Sequence, residues 1–311
     1  MRKSKAKNIP LHPVKKINMA GQLKEVRTRI KSVQNTQQIT KAMKMVSAAK
    51  LRKAQEGIHQ MRPYAKKLQE VLSNIVSSSD GEMGMSLAVE RPAESVLLIV
   101  ITSDRGLCGA YNANVIKLAK SVIAEKYKSQ AAKGKVEIWS IGKKGYEHFL
   151  KNRYNVDAQY KDIFLNLNFE SVQAASQAAV KAFESKRFDR VELVYSEFKN
   201  AATQRFVSER FLPIPKIKPK EGAKKADFIF EPSREKLVAE LMPKILNTQL
   251  YKAVLDANAS EHGARMTAMD KATENADELL KALKISYNRA RQAAITTELT
   301  EIVSGAAALQ G

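Results

Sequence analysis

Apolar residues along the first quarter of the chain recur at alternating steps of three and four. Leu23, Val26, Ile30 and Val33 open the series, and Leu51, Ala54, Ile58, Met61, Ala65, Leu68, Leu72 and Ile75 close it. This spacing is the heptad seam of a coiled coil. Between positions 33 and 51 the same register holds Gln37, Thr40, Lys44 and Ser47, so the pattern predicts a helix that continues while its seam turns polar. Across that gap Ile39, Met43 and Val46 form a second apolar stripe, displaced around the helix. Pro63 removes one backbone hydrogen bond and is the expected point of bending. Residues 74–84 (NIVSSSDGEMG) read as the exit loop.

The periodicity then changes. Residues 96–101 (VLLIVI) are continuously apolar, which suits a strand buried on both faces. A glycine-containing turn follows over 102–111, and then a helix over 112–127. A second strand is expected at 136–141, further helices at 143–152 and 171–185, and a third strand at 190–196 with 203–211 pairing to it. Strand and helix in alternation predict an α/β domain with a mainly parallel sheet. Residues 213–225 (PIPKIKPKEGAKK) are a Pro/Lys linker, after which Ser233 is a candidate N-cap.

From there the chain holds no proline after Pro243 and no glycine between Gly263 and Gly305. A helix from 235 onward would run about 115 Å at 1.5 Å per residue. Leu246, Leu250, Ala253 and Ala257 make one heptad stretch in it, and Ala276, Leu280, Leu283, Tyr287, Ala290 and Ala294 another, with Met269 and Ala272 leading in. The first helix, over residues 20–79, would measure about 90 Å. Folding the two against each other leaves roughly 25 Å of the last helix without a partner in its own chain. The expected architecture is α/β plus long α: an antiparallel coiled coil of the terminal helices with an inserted Rossmann-like α/β domain. The expected boundaries are 1–18 for a basic arm, 19–79 for the first helix, 80–230 for the α/β domain and 231–311 for the last helix.

Charge widens the field of partners. Lys and Arg number 53 against 32 Asp and Glu, a net charge of +21, which suits an acidic partner of any kind. The single cysteine, Cys108, excludes an internal disulfide and fits a reducing compartment. The longest apolar run has six residues, far below the ~20 needed to span a bilayer. Residues 1–18 are basic and lack the apolar core of a secretory signal.

Catalytic chemistry finds little support. Gly142-Lys143-Lys144-Gly145 is too short for a phosphate-binding loop of the G-x-x-x-x-G-K-[ST] kind, and reads as a solvated turn. The turn TSDRGLCGAYN, residues 102–112, follows a buried strand, where α/β folds place ligands. Its Ser103, Asp104 and Cys108 could serve chemistry, yet His148 has no spacing that marks it as their base. The four histidines and one cysteine show no metal-ligand spacing. No catalytic residue, cofactor or metal is expected. The basic run 41–53 (KAMKMVSAAKLRK) fits either a solvated face or an acidic external partner.

Three stretches resemble one family. IKSVQNTQQITKAMKMV (30–46), preceded by Met19-Ala20-Gly21, resembles the start of the γ subunit of F-type ATP synthases. The turn at 102–112 resembles that family's middle motif. Its C-terminal signature is matched by Ile295, Thr296, Glu298, Glu301, Gly305, Ala306 and Ala308, supported by ASEHGARM (259–266) and YNRARQA (287–293). The resemblance spans residues 19–310 and implies a rotor. The terminal helices would enter a ring of three α and three β subunits. The α/β domain would sit against ε and the c-ring, with one copy per complex and no direct membrane insertion. Proton flow would turn the shaft and drive the β catalytic sites through ATP synthesis, reversibly. The chain itself would not be the catalyst, and would lie peripherally on the cytoplasmic face of a bacterial plasma membrane. The implied partner contacts are Lys41, Met43, Lys44, Met45, Lys50, Arg52 and Lys53 on the first helix. On the last helix they are Arg265, Arg289, Arg291, Gln292, Thr296, Glu298 and Glu301. Two rivals stand beside this: a basic coiled-coil nucleic-acid-binding protein, and a small-molecule enzyme using the 102–112 turn. No recognised nucleic-acid module or interleaving of aromatics supports the first.

Overall fold

A computed structural model describes residues 19–77, 87, 89–201, 203–214 and 234–310. The basic arm, Ser233 and most of the two expected loops lie outside the described residues. The chain divides into two compact units, one of residues 42–270 and one made of the segments up to Lys41 and from Lys271.

Unit 42–270 contains the inserted domain. Its elements are β1 (Val96–Ile101), α2 (Tyr111–Lys126), α3 (Lys128–Ala132), β2 (Val136–Ile141), α4 (Lys143–Lys151), β3 (Val156–Asp157), α5 (Phe169–Glu184), β4 (Arg190–Phe198) and β5 (Gln204–Leu212). They lie between the long helices α1 (Met19–Ser77) and α6 (Arg234–Gln310). The sheet runs β3-β2-β1-β4-β5, parallel except for the β4–β5 pair. Every residue of β1 is buried, because both faces of the strand are covered. Leu97, Ile99 and Ile101 point to a cluster with Val172, Ala179 and Phe183 of α5 and Leu246, Leu250 and Ala253 of α6. Leu98 and Val100 point the other way, to Val115, Ala119 and Ile123 of α2 and Phe149 of α4. The result is a three-layer sandwich with a Rossmann-like strand order.

Two features were not anticipated. β3 is only two residues long and carries no pattern a sequence can display. The β4–β5 register shifts between Val191 and Glu192. That irregularity lies beside a buried carboxylate: Glu192 accepts hydrogen bonds from Tyr127 (2.6 Å) and Ser208 (2.7 Å) and pairs with Lys126 (3.2 Å).

Both long helices form as expected. Pro63 lies inside α1 and Pro243 inside α6, and neither ends its helix.

Candidate surface: a helix pair with a polar seam

Within unit 42–270 the seam of α1 is apolar from position 51 onward. Leu51, Ala54 and Ile58 are buried against Leu255 and Ala259 of α6. A Cβ on Gly57 would meet the Leu255 side chain at 3.8 Å, an ordinary contact. Toward the start of this stretch the seam becomes polar. Ser47 is buried, with its hydroxyl donating to the Met43 carbonyl, and Lys44 pairs with Asp270. In the second unit Thr40 lies 2.8 Å from Thr273, hydroxyl to hydroxyl, and Gln37 donates to Asp277 at 3.5 Å. Partner numbers fall on α6 as they rise on α1, so the packing is antiparallel within each unit. The four polar seam positions 37, 40, 44 and 47 thus stay in the interface, where small hydroxyls and one ion pair replace aliphatic knobs. Lys44 and Asp270 are each nearly half exposed, so their pair contributes only about 0–1 kcal/mol.

The displaced stripe faces outward at Ile39 and Val46, two of its three residues. Ile39, Met45 and Val46 are each more than half exposed, while Met43 is half-buried. Lys41, Lys50, Arg52 and Lys53 are exposed, and Arg52 pairs with Glu56 on its own helix. Of the first-helix contacts expected from sequence, then, Lys41, Met45, Lys50, Arg52 and Lys53 are open to a partner. Lys44 is already held by Asp270.

Along the last turns of α6 the heptad continues through half-buried Tyr287, Ala290, Ala294 and Thr297. From Glu298 through Leu309 every residue is exposed, including Leu299, Ile302, Val303 and Leu309 at 91%. Arg289, Arg291, Gln292, Thr296, Glu298 and Glu301 are all exposed as well. Thr296 and Thr300 return their hydroxyls to carbonyls four residues earlier on the same helix. The uncovered stretch of twelve residues is about 18 Å of helix, somewhat shorter than the periodicity suggested.

The 102–112 turn has a different occupation. It lies at the carboxyl end of β1, beside β4, where the strand order reverses and such folds bind ligands. Here α6 crosses that crevice. Tyr111 donates to the Ala257 carbonyl at 3.1 Å, and Ser260 to the Ser196 carbonyl at 3.1 Å. A Cβ on Gly263 would meet the Ala201 carbonyl oxygen at 3.1 Å, and Ala264 packs into the α2 cluster. Arg265 pairs with Glu261 and donates to the carbonyls of Arg105 and Gly106. Ser103, Cys108 and Asn112 close a network of their own: Asn112 donates to Ser103 at 2.8 Å and to Cys108 sulfur at 3.2 Å. Cys108 is 1% exposed. The first amides of α4 are taken too, Lys143 by the Asp104 carboxylate at 3.1 Å and Gly145 by the Thr102 hydroxyl at 2.8 Å. The ligand crevice of the fold is filled by the chain's own helix, and Arg265 serves that attachment.

Comparison with known proteins identifies the arrangement. The family model described as ATP synthase matches residues 22–309. A curated ATP synthase gamma chain of Cytophaga hutchinsonii is 53% identical over 290 residues, covering 92% of this chain and 98% of that one. The chain belongs to the ATP synthase γ family. The gamma chain of Flavobacterium johnsoniae is 51% identical, over 93% of this chain and 99% of its own. Among solved structures, a chain from the Euglena gracilis mitochondrial ATP synthase, OSCP/F1/c-ring, has a TM-score of 0.63 at 21% identity, covering 93% of this chain and 95% of that one. A chain from the central stalk/c-ring of the Tetrahymena thermophila enzyme has a TM-score of 0.53 at 24% identity, covering 75% and 99%. At these identities the structures bear on the fold, which they share.

The packing of α6 over the 102–112 turn gives that motif a structural reading. Neither rival function is supported by the comparisons. Sequence reasoning missed Asp270, Thr273 and Asp277, the α6 partners of the polar seam. It also missed Glu261, which orients Arg265. The heptad steps of α6 pass beside these positions, and only the pairing with α1 brings them into the interface. Deleting residues 298–311 should leave the Trp139 fluorescence melt unchanged to within ~1 °C, because no described residue of that stretch is buried. Assembly with partner subunits should weaken more than folding does, which pull-down yields set against the melt will measure.

Proposed function

We propose that this chain is the rotor shaft of the central stalk of an F-type ATP synthase, coupling proton-driven rotation to ATP synthesis and its reversal. The observation that carries the reading is the antiparallel pair α1–α6 in a γ-family chain, ending in twelve consecutive exposed residues of an apolar-containing helix. Such a surface is stable in water only at a cost and suits enclosure by another protein. The sleeve is the α3β3 hexamer. Arg289, Arg291, Gln292, Thr296, Glu298 and Glu301 meet its bore, and Lys41, Met43, Met45, Lys50, Arg52 and Lys53 meet acidic segments of the β subunits. Lys44, which pairs across the helices with Asp270, and Arg265, which ties α6 to the 102–112 turn, have internal roles in this reading. Surface ion pairs of about 0–1 kcal/mol each suit contacts that must break on every turn.

The α/β domain faces ε and the c-ring, with one copy per complex. Catalysis lies in the partner subunits, and this chain needs no cofactor or metal. No helix among the described residues is long and apolar enough to cross a membrane, so attachment is through partners. The location that follows is the cytoplasmic face of a bacterial plasma membrane. Co-expression with α and β subunits tests this. A stable complex should form, and its ATPase activity should fall by more than tenfold without this chain. Failure to co-purify with α and β would refute the reading.

A further inference from the structure

A groove of about 600 Å³ lies between α2 and α4, on the sheet face away from α5. This volume falls within the ~300–1,000 Å³ of small-molecule sites. Lys117 and Lys120 of α2 line it, three residues apart, and Lys144 and Lys151 line it from α4. Its only carboxylate, Glu147, already pairs with Lys144 at 2.6 Å. Lys117, Lys120 and Lys151 have no carboxylate within ion-pair distance among the described residues. Elsewhere in the domain, Lys126, Lys135 and Lys143 each have one.

His148 stands in the same wall. Its Nε2 is enclosed without a hydrogen-bond partner, and its ring packs edge-on to Phe149. Burial first, and then the positive charges of Lys120 and Lys151, hold this imidazole below its usual range. Both helices therefore direct positive potential at one spot. Like charges gathered in a concavity repel one another and attract a compact polyvalent anion. Ala113 and Ile116 add an apolar lining. Lysines, as mobile point charges, suit phosphate oxygens better than a planar carboxylate fork.

We propose that the α2–α4 groove binds a small polyvalent phosphate anion through Lys117, Lys120 and Lys151. The shared chemistry is a phosphate chain, carried by either a nucleoside polyphosphate or inorganic polyphosphate. This site is independent of what the helix pair turns in.

The test is a histidine NMR titration of the full-length chain with tripolyphosphate, ATP and orthophosphate near physiological ionic strength. The His148 ring should shift saturably, and its pKa should rise as the anion offsets Lys120 and Lys151; Lys117, Lys144 and Glu147 complete the charged surroundings. Tripolyphosphate should bind at least ~10-fold more tightly than orthophosphate. Tighter binding of ATP than of tripolyphosphate would assign the nucleoside to the Ala113–Ile116 side, and equal binding would assign the phosphate chain alone. The double variant Lys117→Gln/Lys120→Gln, and separately Lys151→Gln, should weaken binding by about tenfold or more. All three lysines are exposed, so the fold should persist by circular dichroism. Lys181→Gln, exposed on α5 across the sheet, should leave phosphate binding unchanged. The proposal is overturned by an unmoved His148, by equal weakening in Lys181→Gln, or by polyglutamate outcompeting tripolyphosphate, which would mark the groove as a protein-facing surface.

Discussion

Replacing Gly142 by alanine lowers the melting temperature of the α/β domain by about 10 °C, from a loss of roughly 3–5 kcal/mol. Trp139, the only tryptophan, is buried in that domain against Tyr160 and Phe188, so its fluorescence reports the transition. Two effects add. Gly142 has φ of +100°, a region side chains rarely adopt. A Cβ there would also sit 2.3 Å from the Thr102 carbonyl oxygen, a backbone atom that cannot swing aside. Gly142 sits where β2 hands over to α4, and its amide donates to the Lys161 carbonyl at 3.2 Å. Relieving the clash therefore displaces the ends of β1 and β2 together. Gly134 separates the two effects: its φ is +68°, but nothing lies within 4 Å of its absent Cβ. Gly134→Ala should cost only about 1–2 kcal/mol.

Replacing Glu192 by alanine should destabilise the same domain by about 3 kcal/mol, because Tyr127, Ser208 and Lys126 all lose their acceptor. Lys126 is about half exposed and recovers part of its loss in water. Burial by itself would raise the Glu192 carboxyl. The hydrogen bonds from Tyr127 and Ser208 and the charge of Lys126 outweigh it and hold the carboxyl below its ordinary range. A depressed carboxyl contributes stability above its unfolded pKa, and that contribution is lost as pH falls through the folded value. The wild-type domain should therefore weaken below about pH 4.5, the ordinary value. Glu192→Gln, which cannot titrate, should show a flatter acid limb in urea denaturation followed between pH 5 and about 3. At the other end, burial and Glu192 push the Tyr127 hydroxyl well above its usual range, so it stays protonated and donating through neutral pH.

Much of this was legible in the sequence because it rests on period. The positions 23, 26, 30, 33, 37 and 40 that continue the heptad register are all partly or fully buried. Polar residues at Gln37 and Thr40 did not break the helix, since helix formation depends on the backbone and the seam tolerates small or paired polar groups. The run 96–101 announced a strand covered on both faces, and the alternation of strand and helix announced the sheet. Three things were not legible. A two-residue strand such as β3 has no period. The covering of the 102–112 turn by residues 257–268 is a contact between segments some 150 residues apart, which no local spacing encodes. The intramolecular partners of Arg265 belong to that same contact: no local spacing on a long helix announces Glu261 and the Arg105 and Gly106 carbonyls around it. The motif at 102–112 carried a ligand-like signal because anchoring a helix at a sheet's carboxyl edge uses the tight turns and polar side chains that a ligand would.

The central claim is that the α1–α6 pair turns as an axle within a ring of partner subunits. The single native cysteine is buried, so a new thiol at the exposed Lys133, just beyond α3, would give one selective attachment point. With the α and β subunits fixed to a surface and a bead on Lys133→Cys, ATP should drive continuous rotation in one direction. Complexes that assemble and hydrolyse ATP while the bead only fluctuates about one position would contradict the axle.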